Sequence, residues 1–164
     1  MRKIIVTAII ATAILTAIAL PPARVASFTF QTGSITTEEL RVSAIVEAMV
    51  FIESGGHGCH AVGLSGERGC MQFMPSTWRA YSTEALGHVA PMTEASEIDV
   101  SSFMVRKWLS MGMSERDIFL TWNQGNPGAC SSGVNGHGVR FDSCAYADRA
   151  EALYREFMHM TTSD

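Results

Sequence analysis

The chain has no cluster of Lys or Arg, no convincing stretch of alternating apolar and polar residues, no internal repeat and no low-complexity linker. Each absence excludes something. Its 12 Lys and Arg are scattered among 16 Asp and Glu, a net charge of −4, whereas a nucleic-acid partner needs clustered basic residues to neutralise phosphates. Without period-two alternation a sheet-based domain has no half-buried strands to build from, so the fold is expected to be mainly α. At 164 residues and with no linker, a single domain is expected.

The hydrophobic residues are unevenly placed. Arg2 and Lys3 precede an apolar run of 17 residues, Ile4 to Leu20, with no charge and no glycine, and Val25 and Ser27 are small enough to flank a cleavage point. Residues 1–27 therefore read as an export signal, with an uncleaved anchor as the alternative, since 17 residues is the short limit for a spanning helix. Membrane contact is expected only through this segment if it is retained. Its removal takes Lys plus Arg from 12 to 9 against 16 acidic residues, a net charge of −7. Residues 28–35 form a lead-in without period, and 36–160 form the domain.

Four cysteines, Cys59, Cys70, Cys130 and Cys144, fit an exported chain whose oxidising surroundings let them pair. Three connectivities are formally possible. Cys59 with Cys70 and Cys130 with Cys144 is preferred, because each pair would staple a Gly-rich loop that has little apolar material of its own. A zinc set of His57, Cys59, His60 and Cys70 is less economical, since its spacing fits no common zinc pattern. No metal and no cofactor is expected.

Thr36-Thr37-Glu38-Glu39 has capping-box spacing, and Leu40, Ile45, Ala48, Met49 and Ile52 follow at helical intervals up to Ser54-Gly55-Gly56, where glycine can end the helix. Pro75 suits the first turn of a short helix bearing Trp78 and Tyr81. Further helices are expected over 97–111, 114–122 and 144–159, giving about five to six helices with long Gly-rich loops and little or no β. Trp108 and Phe119 fall on helical faces with Met104, Leu109 and Leu120 and are expected in the core, not at a ligand.

Glu53 ends the first helix, where unsatisfied carbonyls make the potential negative, and it follows Val50, Phe51 and Ile52. Both effects raise a carboxyl pKa, and a carboxylic acid protonated near neutral pH is what glycosidic cleavage requires. Alone, a helix-terminal Glu is ordinarily a solvated residue. Three blocks in order change the balance: Glu53-Ser54-Gly55-Gly56, then Gly69-Cys70-Met71-Gln72-Phe73-Met74-Pro75-Ser76-Thr77-Trp78, then Trp122-Asn123-Gln124-Gly125.

Together these blocks resemble the soluble lytic transglycosylase family, over roughly residues 38–157. The resemblance implies a lysozyme-like, mostly helical fold and a groove for peptidoglycan glycan strands. It implies Glu53 as the single acid and then base, Ser54 beside it, Met71 and Gln72 against the sugar chain, Asn123 across the cleft, and Tyr146 on the last helix helping to close it. Two positions depart from the pattern: Cys70 stands for the family's Leu and Trp122 for its Tyr. An indole keeps stacking on a sugar ring but cannot supply a Tyr hydroxyl to the acid.

Most glycosidases use two carboxylates, whereas substrate-assisted enzymes use the sugar's N-acetyl group instead. Glu67, the nearest acidic residue downstream of Glu53, reads as a surface ion pair with its neighbour Arg68. The expected activity is therefore cleavage of the β-1,4 bond between N-acetylmuramic acid and N-acetylglucosamine with formation of 1,6-anhydro ends. A hydrolytic muramidase and a non-catalytic peptidoglycan-binding protein are the alternatives. The expected location is the periplasm or cell envelope, with an envelope-spanning secretion or conjugation complex as the partner that the resemblance suggests.

Overall fold

The structure, a computed structural model, describes residues 36–55 and 58–161. The export segment 1–27, the lead-in 28–35 and His57 of the zinc set lie outside the described residues. The fold is mainly helical: α1 (Thr37–Glu53), a 3-10 turn (Gly58–His60), α2 (Pro75–Leu86), α3 (Glu94–Ser110), α4 (Glu115–Gln124), a hairpin of β1 (Ser132–Val134) and β2 (Arg140–Asp142), and α5 (Ser143–Thr161). No helix among the described residues is long and apolar enough to cross a membrane.

Helix α1 begins where its side chains can satisfy the free N–H groups. The Glu39 N–H donates to Thr36 Oγ1 at 3.1 Å, and the Thr36 N–H donates to Glu39 Oε2 at 2.8 Å. Val42, Ile45, Val46 and Met49 form one buried stripe, and Ala44 and Ala48 widen it with small side chains. That width lets α1 pack against α5 on one side and α3 on the other. It stops at Ser54, whose N–H donates to the Val50 carbonyl at 3.0 Å, before Gly55 at φ +56°.

The later helices differ from the sequence expectation mainly at their ends. Helix α3 starts at Glu94, three residues before 97, because Thr93 caps it and Ser96 returns the bond. Helix α4 runs past Trp122 to Gln124 and closes on Gly125 at φ +83°, which places Asn123 in its last turn. The hairpin pairs Ser132 with Asp142, Gly133 with Phe141 and Val134 with Arg140, antiparallel. Its strands are three residues each and wholly exposed, so they carry no buried-face alternation to detect.

The core gathers Ile45 and Met49 from α1, Val100, Met104 and Val105 from α3, Ile118, Phe119 and Leu120 from α4, and Ala147 and Ala150 from α5. Phe119 is fully buried and Trp108 nearly so, as expected of core residues.

Disulfides join Cys59 to Cys70 and Cys130 to Cys144. The first takes both thiols out of the zinc candidate set. They close loops of sequence separation 11 and 14, each spanning a stretch that contributes little apolar surface. In the chain-entropy account a loop of this size stabilises by about 2–4 kcal/mol. Replacing either pair with serines is accordingly expected to lower the free energy of unfolding by about 2–4 kcal/mol. Urea denaturation checks this, and an unchanged midpoint in both double variants contradicts it.

Candidate active site

Glu53 sits at the C-terminal end of α1 and faces the start of α5, where the Tyr146 hydroxyl donates to its Oε1 at 2.7 Å. Tyr146 is 4% exposed, so the donor is held by core packing and not by solvent. Burial raises the Glu53 pKa most strongly, and the negative charge of Glu67 adds to it. The Tyr146 hydrogen bond and the charge of Arg149 pull the other way without offsetting the rise, and the carboxyl is pushed up to about 7. The Tyr146 hydroxyl, buried and next to that carboxyl, is held well above the ordinary tyrosine range and stays a donor. Tyr146 thus supplies the acid with the hydroxyl that Trp122 could not.

The carboxyl opens on a pocket of about 210 Å³ lined by Gln72, Phe73, Tyr81, Trp122 and Asn123, with Glu67 also in its wall. Residues 61–73 form the adjoining wall by folding into narrow turns: Val62 bridges Arg68, and Arg68 bridges Phe73. Glu67 is half-buried there, whereas its neighbour Arg68 is exposed. Glu67 is therefore not the surface ion pair expected from sequence. It is a pocket residue whose Oε2 accepts the Ser65 N–H at 2.9 Å, and among the described residues it makes no ion pair with Arg68.

Gln72 adopts φ +49°, the left-handed region that a residue with a side chain enters only when its surroundings hold it there. Its own amide provides part of that hold, donating from Nε2 to the Gly69 carbonyl at 2.7 Å and to the Ala61 carbonyl at 3.2 Å. The rest comes from Glu97 of α3, a carboxyl 2% exposed that accepts the Met71 N–H at 3.1 Å. Burial raises the Glu97 pKa, and the backbone N–H groups of Met71 and Cys70 oppose the rise. Gly69, at φ +83°, passes so close that a Cβ there would overlap the Glu97 carboxyl.

Trp122 is half-buried within an aromatic cluster, its ring centroid 5.1 Å from Phe73, 6.2 Å from Trp108 and 6.5 Å from Tyr81. Asn123 is exposed at the pocket, and its side-chain amide makes no hydrogen bond among the described residues. Trp78 instead closes the core, with its indole N–H donating to the Ala90 carbonyl at 2.8 Å.

The structure thus brings Glu53, Gln72, Trp122 and Asn123 to one pocket, with Tyr146 behind the acid. Two expected ligand contacts are turned inward. Ser54 is 4% exposed, and Met71 stands in the pocket's inner wall while exposing none of its own surface. Sequence reasoning missed Glu67 as a pocket group and Glu97 as the support of the turn. For Glu97 a signal exists: it shares the stripe of Val100, Ser101, Met104 and Trp108, where a carboxyl must find buried donors.

No protein-family model matches the chain, and no curated protein matches it. What the pocket can do chemically follows from its own groups. It offers a neutral-pH acid, a second carboxylate, free amide groups on Asn123 and an apolar aromatic wall.

A raised carboxyl pKa has a definite consequence for stability. Between the unfolded value of 4.5 and the folded value of about 7 the native state holds a proton that the unfolded state has released, so stability falls as pH rises through that window. Glu53→Gln removes the ionisation. The variant is expected to be more stable than wild type by about 3 kcal/mol at pH 8, with the gap closing near pH 4. Denaturant midpoints measured across this range check the sign, and a gap that widens towards acid contradicts it.

Proposed function

We propose that the protein is an exported enzyme that cleaves peptidoglycan glycan strands as a lytic transglycosylase, with Glu53 acting first as acid and then as base. The observation that carries the reading is the Glu53 carboxyl itself, which is pushed up to about 7 by burial, is fixed by a buried Tyr146 hydroxyl and opens on a pocket with aromatic and amide walls. The family resemblance supplies the substrate class. The two disulfides fit an oxidising, exported environment, and we place the protein in the periplasm or cell envelope.

In the proposed course, protonated Glu53 gives its proton to the β-1,4 oxygen, the bond from that oxygen to C1 of N-acetylmuramic acid breaks, and N-acetylglucosamine leaves with a 4-hydroxyl. The acetamido oxygen of the muramoyl residue bonds to C1, taking the role of the missing nucleophile. Glu53, now a carboxylate, receives the proton of the muramoyl 6-hydroxyl. The 6-oxygen then bonds to C1, the acetamido oxygen is released, and a 1,6-anhydro ring closes with the acid restored. Tyr146 is a positioning residue here, since its hydroxyl holds one carboxyl oxygen and leaves the other for the proton.

The presence of Glu67 in the same pocket favours a second reading on the same residues, hydrolysis. A water deprotonated by the Glu67 carboxylate would take the place of the 6-hydroxyl, leaving reducing ends. Mass spectrometry of muropeptides released from purified sacculi separates the two, with anhydro ends expected. Glu53→Gln is expected to reduce solubilisation by at least about 100-fold. Equal solubilisation by the variant and wild type removes the enzyme reading altogether.

The pH dependence tests the acid separately. A general acid of pKa about 7 gives a kcat/KM that declines above neutrality. Tyr146→Phe removes a donor that favours the carboxylate, so the basic limb is expected to move to higher pH in this variant. A pH–rate profile in which the limb stays in place rules out control of the acid by Tyr146.

A further inference from the structure

Among the described residues Glu97 is the one charged side chain that the fold buries, and the proposed reaction assigns it no step. It stands in the first turn of α3, on the stripe of Val100, Ser101 and Met104, and faces residues 69–71 of the pocket wall. Its Oε2 accepts the Met71 N–H at 3.1 Å, and the Cys70 N–H also bonds to the carboxyl. Gly69 leaves room for it only by having no side chain. These contacts come from the three residues immediately before Gln72.

Charge decides what this arrangement can do. A carboxylate accepts from both N–H groups, whereas a protonated carboxyl presents a hydrogen in place of one lone pair, and a donor opposite a donor cannot pair. The one charge among the described residues that acts on Glu97 appreciably is Glu94, one turn earlier, which disfavours ionisation as burial does, while the Met71 and Cys70 N–H groups favour it. The charged groups of the helices packed on α3 are engaged elsewhere: Glu39 of α1 with Thr36, Arg41 of α1 with Glu115 of α4, and Glu84 of α2 with Lys107. On the wall itself Arg68 is exposed and Glu67 lines the pocket. Gln72 is where a change would be felt, because it lines the pocket with Glu53 and keeps its φ of +49° only while its surroundings hold it.

We propose that Glu97 is a positioning residue of the active site that works only as a carboxylate, fixing the Gln72 turn through the Cys70 and Met71 N–H groups, so that activity is lost in acid when Glu97 takes up a proton. The inference rests on the glycan-cleaving reading and adds a second ionisation to it. Glu53 has to be protonated and Glu97 ionised, which makes the rate profile bell-shaped, with Glu53 setting the basic limb and Glu97 the acid limb. Because burial raises the Glu97 pKa, the acid limb lies above the ordinary glutamate value of 4.5.

Two measurements test this. In the isotope-labelled wild-type protein, the NMR shifts of the Cys70 and Met71 amide protons report the charge on the carboxyl they bind, and the Gln72 backbone amide is expected to follow them. Their common midpoint is expected to coincide with the acid limb of sacculus solubilisation. Glu97→Gln keeps one acceptor but sets an NH2 group against the other N–H. It is expected to lose the acid limb, keep the basic limb and solubilise sacculi at pH 7 about ten- to hundredfold more slowly. Glu67→Gln is expected to keep the acid limb. A limb that survives in Glu97→Gln or vanishes in Glu67→Gln overturns the proposal, and so do wild-type Met71 and Gln72 amides that do not titrate across it, a result that needs no variant to fold. Wild type that solubilises no sacculi at any pH defeats the catalytic reading instead, and the hold of Glu97 on the turn is then judged from whether the Gln72 amide follows its titration.

Discussion

The structure turns on one hydrogen bond, from the Tyr146 hydroxyl to the Glu53 carboxyl. It ties the last residue of α1 to the first turn of α5, the two helices that share the largest contact in the fold. The Tyr146 donor is buried in the core while the Glu53 carboxyl lies half-buried at the pocket, so the donor cannot turn to solvent without opening the core. The acid therefore has a fixed orientation and a raised affinity for its proton. A carboxyl placed by an exposed loop would have neither property.

Around that bond the chain solves a second problem, which is to hold an irregular, glycine-rich pocket wall that reaches the core only through its last residues, Cys70, Met71 and Phe73. Backbone groups in the 61–73 segment are satisfied by narrow bridges, by the Gln72 amide and by the buried carboxyl of Glu97. The Cys59–Cys70 disulfide fixes the same segment covalently. Hydrogen bonding and cross-linking thus supplement the packing of Met71 and Phe73 in the core. In this way a glycine-rich stretch becomes a rigid wall.

What could be read from the sequence divides along that line. Helix α1 was legible because Thr36 and Glu39 form a local reciprocal cap and its apolar spacing is regular. The mainly helical class followed from such patterns, although Thr93 extended α3 and Gly125 set the end of α4 beyond the expected limits. The gathering of Gln72, Trp122 and Asn123 at Glu53 had been expected only through a family resemblance. Adjacent opposite charges at Glu67 and Arg68 look like an ion pair in sequence, whereas in the fold Glu67 lines the pocket and Arg68 is exposed. For Glu97 the apolar stripe it shares shows that buried donors are needed, but not that they are backbone groups such as the Met71 N–H, 26 residues away.

The close approach of Gly69 to Glu97 constrains how this protein can change. A side chain at 69 would collide with the carboxyl, and a shorter residue at 97 would strand the backbone donors of the turn. Substitutions at the two positions will be strongly non-additive, since each alters what the other tolerates. Divergence or engineering of this wall therefore has to treat residues 69 and 97 as one epistatic unit, even though they come from different elements.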